Sequence, residues 1–190
     1  TDIVDVSPGD LHIRKAILAA LSRAEGGAAY EALAFATEDV HPEIRAEAAI
    51  GLGQVLAVDR RAQDVLQRLL DDDIVMVRVE AARAVLGVDR GRMDAIDILL
   101  RVFHGGAKTE RDKARHALLM LGPSLTMEAS DALLLAQSDD LCLHSMAAFI
   151  LGRYAVARAD AAALRGLLGL GGPYVDIPIA QALTRMGDES

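Results

Sequence analysis

The chain has no tryptophan, three phenylalanines, three tyrosines and one cysteine among 190 residues. So few aromatics leave no platform on which nucleic-acid bases would stack. The single Cys142 excludes an intrachain disulfide and a cysteine-based zinc site, and it suits a reducing, cytoplasmic compartment. Lysine is almost missing: Lys15, Lys108 and Lys113 are the only three. With 20 basic against 28 acidic residues and a net charge of −8, there is no basic stripe to displace counterions from phosphates. Nucleic acid is therefore disfavoured as a partner. No apolar run reaches the ~18–20 residues that span a bilayer, so no membrane is expected. Thr1–Val6 is acidic and alternating, unlike a signal peptide, and a first residue of Thr fits a piece of a longer chain.

What the chain does contain is aliphatic. Hydrophobic residues make up 52%, and Ala with Leu supplies roughly a third of the sequence, both strong helix formers. The core must be built from small and branched side chains, and wholesale disorder is excluded.

A period of 33 residues organises them. Ile44-Arg45-Ala46-Glu47-Ala48-Ala49 recurs as Val77-Arg78-Val79-Glu80-Ala81-Ala82. The same step yields columns: Arg45, Arg78, Arg111, His144; then Ala48, Ala81, Ala114, Ala147, Ala180; then Leu52, Val85, Leu118, Leu151. Leu33, Leu66, Leu99 and Leu69, Val102, Leu135, Leu168 form two more. Within each segment the apolar residues fall at i, i+3, i+4 and i+7, the spacing of a helix face. Each repeat is thus two helices. The first of each pair, helix A, is expected near 27–37, 60–70, 92–103, 125–136 and 159–169. The second, helix B, is expected near 42–55, 75–87, 108–121, 141–155 and 174–186, with an extra first helix over 8–24. The alanine column has a mechanical reason: stacked helix pairs approach closely only where side chains are small. Such a chain has no single core, and each pair buries its apolar face against its neighbours. Three segments are expected: an extended 1–6, an array over 7–187 as one domain, and a tail at 188–190.

Ile44–Gly53 (IRAEAAIGLG) and Val77–Gly87 (VRVEAARAVLG) resemble HEAT-like repeats of the short type named after phycobilisome lyases. The resemblance implies an all-α solenoid of about five 33-residue helix pairs plus the N-terminal helix, with the B helices lining a concave face. It also implies a ladder in which a turn Asp meets an Arg of helix B. Here Asp39 precedes Arg45 by six residues and Asp72 precedes Arg78 by six, whereas Gly105 precedes Arg111 and Ser138 precedes His144. Arg111 lacks that partner within its own repeat. The resemblance also invites a test for one HEAT-repeat enzyme, deoxyhypusine hydroxylase, whose two irons are held by His-Glu pairs on B helices. Glu47 and Glu80 occupy the right local setting, but Ala46 and Val79 precede them, and none of the five histidines is followed by Glu. No metal, no cofactor and no catalytic residues are expected, and the chain is read as a non-enzyme. Asp71-Asp72-Asp73 reads as a helix end with an N-cap rather than a calcium loop, and Arg60, Arg61 and Arg68 as a solvated convex face.

On the concave face the inward columns read Glu43, Met76, Thr109, Cys142; Glu47, Glu80, Lys113, Met146; Ile50, Arg83, His116, Phe149; and Gln54, Gly87, Met120, Arg153. Arg, Met and aromatic residues are enriched at protein interfaces. Arg83, His116, Met146, Phe149 and Arg153, with the acidic Glu47 and Glu80, are the expected partner-binding residues. Met146 and Phe149 have a packing role as the alternative. The expected function is a protein-interaction scaffold whose partner is a helix or extended peptide with a basic segment beside an apolar one. The alternatives are an accessory subunit of a bilin lyase or lyase-like maturation enzyme, and a nucleic-acid-binding helical repeat protein.

Overall fold

The computed structural model describes residues 8–23, 27–122, 129–136, 140–154, 158–169 and 172–185. The segments 1–6 and 188–190 lie outside them. The described residues form eleven helices and no strand: α1 (Pro8–Leu21), α2 (Gly27–Ala36), α3 (Pro42–Val55), α4 (Arg61–Leu69), α5 (Val75–Val88), α6 (Met93–Gly105), α7 (Lys108–Leu121), α8 (Ala129–Ala136), α9 (Leu141–Tyr154), α10 (Arg158–Leu167) and α11 (Pro173–Arg185). These match the periodic reading, except that α8 begins at Ala129 and residues 123–128 are not described. Two compact units divide the chain, residues 1–114 and 115–190.

In the first unit, α4 shows how the sequence sets a face. Ala62, Val65, Leu66 and Leu69 recur at i, i+3, i+4 and i+7 and are all buried, while Gln63, Asp64 and Arg68 are exposed. The B helix α5 packs against α3, α4 and α6. It is covered on several sides, which is why Val77, Val79, Ala81, Ala82, Ala84, Val85 and Leu86 are all buried. Leu33, Leu66 and Leu99, one from each A helix, are fully buried; each such leucine contributes about 1.5–3 kcal/mol of transfer free energy. Close approach of α3 and α5 depends on Gly53. A Cβ there would lie 2.7 Å from the Ala84 Cβ, and neither group has a flexible end to yield.

In the second unit α9 packs against α8 and α11, and α10 against α11. The alanine column continues inside it at Ala147, which is fully buried, as are Ala48, Ala81 and Ala114. It ends at Ala180 of α11, which is exposed, and the leucine column likewise ends on an exposed Leu168. No described helix covers those two positions.

The start of α7 explains an irregularity in the core column of Ile44, Val77 and Leu143, where Glu110 stands in an apolar place. Glu110 is the third helical residue, and its Oε2 accepts the Ala107 backbone N–H at 2.9 Å. That is the reaching-back half of a capping box, so the carboxylate satisfies a helix end instead of filling a core site.

Candidate functional site

The turns between the A and B helices of the first unit carry its charge chemistry. Asp39 and Asp72 each fold back on the start of their own B helix. Asp39 Oδ1 accepts the His41 N–H and Asp72 Oδ1 the Ile74 N–H, both at 2.9 Å. Each carboxylate also meets an arginine from the preceding helices. Arg14 of α1 donates to Asp39. Arg45 of α3 donates through Nε and Nη2 to the two oxygens of Asp72 at 2.7 and 2.8 Å, and through Nη2 to Asp73 at 3.0 Å. Only 14% of the Arg45 side chain and 9% of Asp72 are exposed. The hydrogen bond to Asp72 raises the Arg45 pKa above its ordinary value against the effect of burial. Burial pushes the Asp72 carboxyl up, but the Arg45 bond and the Ile74 N–H together hold it below the usual carboxylate range.

This ladder corrects the expected pairing. Within its own helix pair Arg45 meets the main chain of Asp39, Nη1 donating to the carbonyl at 3.0 Å. Its carboxylates come from the next turn. Arg78 repeats the main-chain contact, Nη1 donating to the Asp72 and Asp73 carbonyls at 2.6 and 3.1 Å. The positions one step on from Asp72 and Asp73 are Gly105 and Gly106. Here the sequence pattern showed turn glycines and concealed a missing rung. A groove of about 650 Å³ lies beside Arg78, bordered by Gly105, Gly106 and Arg101.

Within the Asp71–Asp73 triplet, Asp72 and Asp73 face Arg45, Asp72 also holds the Ile74 N–H, and Asp71 is exposed; the N-cap of α5 is Ile74 rather than an aspartate. Of the cations at the A helices, Arg60 and Arg68 are exposed as expected, whereas Arg61 and Arg92 are engaged. Arg61 pairs with Asp59 at 2.7 Å and with Glu31 at 2.8 Å, and its guanidinium lies 4.2 Å from the centroid of the Tyr30 ring. Arg92 pairs with Asp94 at 2.7 Å, and Gln67 donates to the same Asp94 at 3.1 Å.

The expected partner-binding residues divide between the two units. In the first, Glu47 of α3 and Glu80 and Arg83 of α5 are half-buried on helices that pack together. Arg83 Nε donates to Glu80 Oε2 at 2.9 Å, a pair one helical turn apart. In the second, His116 is exposed and Met146, 5% exposed, takes the packing role. The side chains of Phe149 and Arg153 lie outside the described residues. Cys142 is exposed, and its backbone N–H is held by Asp140 Oδ1 at 2.9 Å. Among the described residues no three His, Cys, Asp or Glu side chains converge on a common point, and no helix is long and apolar enough to cross a membrane.

A helix-pair period, buried alanine and leucine columns and an arginine–aspartate ladder between successive turns define a helical repeat protein. Residues 31–119 match the family model for HEAT repeats. Residues 31–119 thus carry HEAT-like repeats, and the all-helical described residues are consistent with an α-solenoid. Its fold is similar to a crystal structure of an engineered protein, with a TM-score of 0.57 and 18% identity, over 97% of this chain and 93% of that one. No curated protein matches the sequence.

Proposed function

We propose that the chain is a non-catalytic scaffold in the cytoplasm that binds another protein through the inward columns of its B helices. HEAT repeats generally serve protein–protein interaction, which supports the coarse reading. The finer one rests on the first unit, where Glu43, Glu47 and Glu80 stand half-exposed on adjacent B helices with one cation, Arg83, beside them. Such a face attracts a helix or extended peptide carrying basic residues next to apolar ones. His116 on α7 and Phe149 and Arg153, both on α9, extend the proposed contact set in the second unit.

The test compares baits in capture from the native cell. A Glu47→Lys, Glu80→Lys double variant loses the protein that wild type retains, whereas an Arg60→Ala, Arg68→Ala double variant keeps it. Circular dichroism confirms that each bait is folded. If the first variant kept the partner and the second lost it, the face would be wrongly assigned.

A further inference from the structure

The first unit builds one local arrangement at two successive positions and completes it at only one. Arg45 and Arg78 lie 33 residues apart, and each donates from Nη1 to the carbonyl six residues upstream. Arg45 then directs Nε and Nη2 at the carboxylates of Asp72 and Asp73. Gly105 and Gly106 leave Arg78 with no such carboxylate, and among the described residues neither its Nε nor its Nη2 has a hydrogen-bond partner. A guanidinium fork with two parallel donors is shaped for a carboxylate. The space that Asp72 fills beside Arg45 is, beside Arg78, part of the open groove.

The acidic residues around that groove do not fill the vacancy. Asp72 and Asp73 face Arg45, and Glu110 holds the Ala107 N–H; Asp71 is exposed. Arg101 adds a second cation, loosely paired with Asp97 at 3.7 Å. The remaining lining includes the aliphatic Leu70, Val75, Ile98 and Val102.

We propose that this groove binds an aspartate or glutamate side chain of a partner polypeptide, flanked by aliphatic residues, whose carboxylate completes on Arg78 the rung that Gly105 leaves open. The occupant is polypeptide because the completed rung is itself an aspartate on a peptide backbone and because aliphatic side chains border the cation. This site lies on the turn edge of the unit and does not depend on the B-helix face proposed above.

The experiment titrates the full 190-residue chain with the capped peptides Ac-Leu-Asp-Leu-NH2 and Ac-Leu-Asn-Leu-NH2 and with succinate. The readout is the NMR signal of the Arg78 Nε–H. The aspartate peptide shifts that signal saturably, and the asparagine peptide binds at least about tenfold more weakly, as loss of a charge-assisted hydrogen bond requires. Arg78→Gln, which removes that signal, abolishes the binding as followed by the backbone amide signals of Gly105 and Gly106. Because that variant also loses the bonds to the Asp72 and Asp73 carbonyls, a second one is decisive. A Cβ at Gly105 would meet nothing within 4 Å, so Gly105→Asp has room to close the rung internally, whereas a Cβ at Gly106 would lie 2.6 Å from the Val102 oxygen. Gly105→Asp loses peptide binding and melts higher than wild type, while Gly105→Ala keeps the binding. Equal affinity for both peptides, or unchanged binding by Gly105→Asp, overturns the proposal. Succinate binding as tightly as the aspartate peptide overturns the polypeptide source.

Discussion

Arg45 and Arg78 occupy equivalent positions, make the same main-chain contact and differ in what the next turn offers them. Arg45 meets two aspartates and is enclosed with one of them, Asp72. Arg78 meets two glycines and borders a groove. The comparison teaches that a repeated arginine has no fixed worth of its own. Its contribution is set by a residue one period downstream, so a single substitution there converts a structural cation into an available one.

Four comparisons break or sharpen this contrast. The largest effect is expected from Asp72→Ala, which leaves Arg45 without its two-oxygen partner and removes the acceptor for the Ile74 N–H. It should cost about 2–3 kcal/mol in urea unfolding. Ala81→Leu, in the fully buried column, should cost about 2 kcal/mol by overpacking; Ala180→Leu, on the exposed end of the same column, should leave the melt unchanged. Arg78→Gln should cost only about 1 kcal/mol, since its bonds are to carbonyls alone. The smallest effect is on pH dependence. The native Asp72 carboxyl titrates below its unfolded value of about 3.9, so the folded state binds fewer protons. The stability that its ionisation contributes is complete above about pH 5 and is lost as pH falls through the lower folded value. The difference between wild type and Asp72→Asn should therefore be constant from neutral pH to about pH 5 and shrink in stronger acid.

The helices were legible because the burial pattern is local. The i, i+3, i+4, i+7 spacing of Ala62, Val65, Leu66 and Leu69 is a property of one helix, and Leu33, Leu66 and Leu99 mark the period directly. The ladder was half legible. In a 33-residue repeat, an Asp six residues before one Arg is also 27 residues after the previous one. Position alone thus leaves Asp72 equally assignable to Arg78 or Arg45, and side-chain direction decides for Arg45. At Gly105 the sequence shows only a missing turn Asp before Arg111, and the open groove beside Arg78 follows only once Arg45 is seen to use the equivalent positions. Met146 fell in an inward column by period, but α9 turns it into the core, where Leu143, Ala147 and Ile150 are also buried.

A double-mutant cycle measured by urea unfolding tests the between-turn ladder most directly. Arg45→Ala and Asp72→Ala are combined singly and together, beside a second cycle of Arg78→Ala with Asp72→Ala. The ladder predicts a coupling of about 1–2 kcal/mol for Arg45 with Asp72, and less than about 0.5 kcal/mol for Arg78 with Asp72, whose bond is to a carbonyl that the substitution leaves in place. Strong coupling of Asp72 to Arg78 with none to Arg45 would contradict it.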